Sequence, residues 1–186
     1  MKKVKRIFKK KHKAMFAMAL AFISLSSCHN SYYQASTKNA NRLDGEDQKT
    51  ALALVEINDY FMLIEKLGKL TENKATKKDT YLVAIKMRDD FRRLSSELEL
   101  RAVFQKVVLP DELSKTNDLF YQKAYALEED VFDEEFREML LEKLKQLKNV
   151  LTYNLENPID DHVQSLSNQY LDEVRIAINE VKSLQS

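Results

Sequence analysis

Few side chains in this 186-residue chain could carry reactive chemistry, and its only thiol, Cys28, is the most informative of them. A single cysteine cannot form an internal disulfide, so its thiol is available for metal, nucleophilic attack or covalent modification. Metal and nucleophilic roles both need partners. A di-metal helical bundle takes inward glutamates and Glu-x-x-His pairs from facing helices. Beyond the basic leader the chain has only His29 and His162, and the residue three before His162 is Ile159. His162 is expected in the first turn of a helix, solvated or locally hydrogen-bonded. A carboxylate-only metal site would draw on Glu65, Asp90 and Glu138, the acids nearest to helix faces that turn inward. Without a base or a histidine–acid pair beside a nucleophile, catalysis lacks its parts. No catalytic residue, no cofactor and no enzymatic activity are expected.

Modification of the thiol has better support. Cys28 closes the box Leu25-Ser26-Ser27-Cys28, at the end of an apolar run from Ala14 to Leu25 that follows the basic leader Met1 to Lys13. A charged region, a short apolar region and small residues at a cleavage point make a secretory signal peptide. The apolar run falls well short of the roughly 20 residues a membrane span requires. The box resembles the lipobox of bacterial lipoproteins. That resemblance implies cleavage before Cys28, a diacylglyceryl thioether on its sulfur and usually an acyl group, such as palmitate, on its new N-terminus. Two or more chains anchor a protein stably where one does not. The residue after the cysteine is His29 and not Asp, which by the sorting pattern of such lipoproteins implies the outer membrane of a Gram-negative cell envelope.

Cleavage also changes the charge. The full chain carries +1, but eight of its basic residues lie in the leader, which holds no acid. The remaining 22 basic residues face 29 acidic ones, a net charge of −7. A nucleic-acid binder needs a basic face, so nucleic acid is excluded as a partner.

With two glycines and two prolines in the whole chain, and abundant Leu, Glu, Lys and Ala, the composition is that of long helices. The organisation expected is a signal peptide over 1–27, a lipidated flexible tether over 28–47 and a helical domain over 48–186. Asn, Ser, Gln and Thr dominate the tether, which as a coil would let the domain stand about 25 Å off the bilayer. Its Tyr32 and Tyr33 could rest among lipid head groups. Helical spacing then predicts five helices. The first, Gln48 to Thr71, carries Leu52, Val55, Phe61, Ile64, Leu67 and Leu70, with Gly68 marking a close backbone approach. The second, Lys77 to Val107, carries Leu82, Ile85, Phe91, Leu94, Leu98 and Ala102 and ends before Pro110. A short helix spans Asp111 to Leu127. The fourth runs from Val131 to Asn154 on Phe132, Phe136, Leu140 and Leu144, with Asp130 as its cap. The fifth opens at Pro158 and runs to Leu184. The acidic block around Asp130 lacks the glycine and alternate ligands of a calcium loop. Four long helices and a short one predict an all-α, up-down four-helix bundle.

The order of several motifs brings a family into view. Leu67-Gly68-Lys69-Leu70, Lys74-Ala75-Thr76, Ala84-Ile85-Lys86-Met87 with Asp90, Pro110 and Phe132-Asp133-Glu134-Glu135-Phe136 together resemble a ferritin-like domain of unknown function, common in secreted and outer-membrane proteins of Gram-negative bacteria. The likeness spans Gln48 to Val181 and implies a ferritin-like bundle. Its departures fall on the family's metal-type residues. Where the family has histidines, this chain has Phe91, Leu144 and the stretch Val174 to Ile178, and an acid one turn before the glycine is replaced by Ile64. The resemblance thus implies a shape retained without the histidines. The function expected is a lipid-anchored, non-catalytic interaction or stress/assembly module, held by the acyl chains on Cys28 and meeting a protein or envelope partner. The alternatives are the carboxylate metal protein and an apolar-ligand binder built around Phe91, Phe120, Phe132 and Phe136.

Overall fold

A computed structural model describes residues 30–184. Among the described residues there are six helices and no strand: α1 (Tyr32–Arg42), α2 (Gly45–Lys74), α3 (Lys78–Phe104), α4 (Lys115–Tyr125), α5 (Glu129–Glu156) and α6 (Asp161–Ser183). Helices α2, α3, α5 and α6 make the bundle, with α6 diagonal to α2, while α1 and α4 pack on α2. The fold is all-α.

Helix α2 is the hub. Neighbours on several sides bury Leu54, Val55, Ile57, Phe61, Leu63 and Ile64 to 1% exposure or less, so its apolar residues cover a wide arc instead of a narrow stripe. Phe61 meets Phe91 of α3 and Tyr170 of α6 edge-on, with ring centroids 5.5 and 5.1 Å away. Phe132 and Phe136 stack at 5.2 Å in the first turns of α5. Gly68 serves the expected close approach: a Cβ there would lie 2.6 Å from the Ala84 carbonyl oxygen and 2.8 Å from Arg88 Cβ.

The structure corrects several expectations. The segment read as a coil contains α1, whose start is a reciprocal box. Ser31 Oγ accepts from the Gln34 N–H and Gln34 Oε1 accepts from the Ser31 N–H, which satisfies two otherwise orphan donors. Ala35 is fully buried under α1, and Asn39 pairs in both directions with the Val108 backbone at 2.8 Å. Leu52 and Leu82, placed on core stripes, are about half exposed. Leu82 sits half a turn round α3 from the buried line Ala84, Met87, Phe91 and Leu94. Pro158 precedes α6 without opening it; Asp160 is the cap, accepting from the Val163 N–H at 2.7 Å. The cap position of α5 is Glu128, and Asp130 lies in the first turn, where its charge still suits the helix dipole.

Candidate functional site

The strongest concentration of buried charge joins α2, α4 and α5. Asp59, Asn117 and Lys143 are each about 95% buried. The Asp59 carboxylate accepts from the Ser114 N–H and from Asn117 Nδ2, each at 2.8 Å. Lys143 Nζ donates to Asn117 Oδ1 at 3.1 Å and to Gln146 Oε1 at 3.0 Å, and stands 4.2 Å from the Phe120 ring centroid. Asn117 thus lies between a buried anion and a buried cation as a neutral relay. Desolvation raises the Asp59 pKa above its ordinary value, against the opposing hydrogen bonds of Ser114 and Asn117 and the charge of Lys143. Burial lowers the Lys143 pKa, with Glu142 and Asp59 opposing.

Perturbed charges of this kind mark candidate sites, and a groove of about 710 Å³ between α4 and α5 runs past Phe120 and Lys143. The donor count decides what the cluster can do. An ammonium has three N–H donors; two are taken by amide oxygens and the third direction faces the Phe120 ring. Both Asp59 oxygens are likewise engaged. The relay fastens α4 to α2 and α5, with its own donors spent within the cluster.

Two other aspartates stitch helices together. Asp133 of α5 accepts from the backbone N–H groups of Thr76 and Lys77 and from the Thr76 hydroxyl, closing the start of α3 from across the bundle. Asp160 accepts from the Thr50 hydroxyl of α2 besides capping α6. Lys74 reaches the carbonyls of Tyr125 and Leu127 at the end of α4.

The residues considered for metal do not converge. Glu65 is paired with Arg92 at 2.9 Å, and Glu138 is exposed beside Arg137. Asp90 borders a cleft with Lys86, Glu173 and Glu180. Among the described residues no group of three or more His, Cys, Asp or Glu side chains is placed to hold a metal ion. Phe91, Leu144 and Val174 are 0–1% exposed and belong to the core, while Arg175 and Ile176 are exposed. Phe132 and Phe136 are likewise core, and Phe120 packs against it. His162 is exposed. Leu25, Ser26, Ser27, Cys28 and His29 lie outside the described residues.

An exposed apolar run closes α3. Leu100, Val103 and Phe104, spanning about one turn at the end of α3, are 64, 73 and 85% exposed. Phe104 borders a cleft of about 180 Å³ with Thr50, Leu54, Arg101 and His162. The available signal was phase: these three stand off the buried line Leu94, Leu98 and Ala102.

Comparison with protein-family models, with curated proteins and with solved structures finds no match for this chain.

Proposed function

We propose that the chain is a lipid-anchored, non-catalytic helical-bundle protein of the bacterial cell envelope, attached to the outer membrane through acyl chains on Cys28. Its bundle is read as ferritin-like in arrangement, serving as an interaction or stress/assembly module for a protein or other envelope partner. The observation that carries the non-catalytic reading is the filling of the interior. Phe91, Leu144 and Val174 place hydrocarbon in the core, at or next to the places where the resembled family has imidazoles. A metal ion held there would face apolar walls, and burying charge without partners is strongly unfavourable. The exposed run Leu100, Val103 and Phe104 supports an interaction role, since neighbouring exposed apolar side chains mark contact surfaces.

The test is metal content and turnover of the full protein, extracted from membranes and purified without chelator. The expected result is substoichiometric metal, unchanged in a Glu65→Gln, Asp90→Asn, Glu138→Gln triple variant. Two metals per chain, lost in that variant, would overturn the reading in favour of a carboxylate site.

A further inference from the structure

The start of the described chain is fastened to the bundle, and this bears on how the domain sits at a membrane. The Asn30 N–H donates to Asp111 Oδ1 at 2.9 Å, and the Asp111 N–H donates to the Asn30 carbonyl at 3.0 Å. Helix α1 follows at once and is held along its length. Ala35 is buried, Asn39 grips Val108 by two bonds, and Arg42 donates to the Lys106 carbonyl at 3.3 Å. Only His29 separates Cys28 from Asn30, so covalent geometry limits the Cα separation of Cys28 and Asn30 to about 7 Å.

From this we infer that the face formed by α1 and the segment beside Asp111 lies directly on the phospholipid head groups, with the bundle resting against the bilayer. The inference depends on lipidation of Cys28. Acyl chains that enter the hydrocarbon at Cys28 hold Asn30 and Asp111 close to the membrane boundary, leaving no slack for a domain that stands off. The chemistry of α1 suits an anionic head-group layer. It holds Lys38 and Arg42 and no acid, and the one acid that the inference places beside it, Asp111, accepts from the Asn30 N–H. Basic residues beside an anionic surface are drawn to it. Tyr33 is 78% exposed on the same helix, an amphipathic ring of the type that settles at the head-group level. Helix α6, which packs mainly on α5 while α1 packs on α2, is then the side further from the bilayer.

The full lipidated protein, reconstituted in phosphatidylethanolamine/phosphatidylglycerol vesicles with doxyl-labelled lipid, provides the test. Single cysteines at Tyr33→Cys on α1 and Arg175→Cys on α6 carry a fluorophore, the Cys28 sulfur being blocked by its lipid. Quenching at position 33 is expected to exceed that at 175 about threefold or more. A flexible insertion of about 20 Gly/Ser residues between His29 and Asn30, reaching about 25 Å, should erase the difference. Equal quenching at both positions in a lipidated, vesicle-bound protein overturns the placement and leaves the anchor standing. A chain whose Cys28 is unmodified by mass, and which stays in the aqueous fraction, overturns anchor and placement together.

Discussion

Asp133 of α5 closes the start of α3 through Thr76, taking its backbone N–H at 3.1 Å and its hydroxyl on the same carboxylate oxygen. The Lys77 N–H adds a third bond at 3.0 Å. Two sequence motifs, Lys74-Ala75-Thr76 and Phe132-Asp133-Glu134-Glu135-Phe136, therefore meet in space for a structural purpose. Burial alone would raise the Asp133 pKa, but the hydrogen bonds from Thr76, Lys77 and Thr80 outweigh it and hold the value below 3.8. A lowered carboxyl pKa contributes stability that is present above the unfolded value and lost as pH falls through the folded value. Asp133→Ala should cost about 1–3 kcal/mol in urea unfolding at neutral pH. Asp133→Asn should flatten the acid limb of the stability–pH curve. An unchanged acid limb would show that the cap contributes nothing.

Gly68 leaves no room for a methyl group against Ala84 and Arg88. Gly68→Ala should destabilise the domain by about 1–3 kcal/mol, although alanine is the better helix former. Equilibrium denaturation measures it, and a stabilised variant would mean that α2 and α3 pack more loosely.

The Asp59–Asn117–Lys143 relay predicts coupling. Lys143→Met leaves the buried Asp59 without its cation and should cost about 3–5 kcal/mol. Adding Asp59→Asn should restore part of that loss, which a double-mutant cycle reads directly. A raised carboxyl pKa contributes stability that is fully present below the unfolded value of 3.8 and lost as pH rises through the folded value. The Lys143→Met variant should therefore gain stability relative to wild type as pH falls toward 3.8. Strict additivity of the two substitutions would deny the relay.

Tyr170 is fully buried and its hydroxyl has no hydrogen-bond partner. Burial first, and the charge of Glu97 next, push its pKa to about 12. Tyr170→Phe removes an unmatched polar group while keeping the ring against Phe61, so it should be neutral or stabilising by up to about 1–2 kcal/mol. A clear drop in melting temperature would reveal a partner for that hydroxyl.

The stacked pair Phe132 and Phe136 is core, and truncating either to alanine should cost about 3–5 kcal/mol. A shift in melting temperature of only a degree or two would contradict that placement.

Five of the six helices are legible because apolar residues repeat along them at helical spacing, although α4 fully buries only Ala124 among its apolar residues and is held largely by the relay. Helix α1 is not legible, because its fastening is polar. Ala35 is its one buried apolar side chain, and the rest of the hold comes from Asn39, Asn30 and Arg42 bonding to the segment 106–111. Ser31 and Gln34, three residues apart, were the readable sign of a helix start. Leu52 and Leu82 misled because apolarity indicates what can be buried, while neighbours decide what is. The relay was illegible: Asp59, Asn117 and Lys143 belong to three helices, and each alone resembles an ordinary surface residue.

The mass of the intact protein isolated from cell envelopes tests the central proposal most directly. The expected chain begins at Cys28 and is heavier than its residues by a diacylglyceryl group and an added acyl chain, with Cys28→Ser unmodified and released from the membrane. A chain that still begins at Met1, or one whose Cys28 carries no lipid while membrane retention persists, would contradict it.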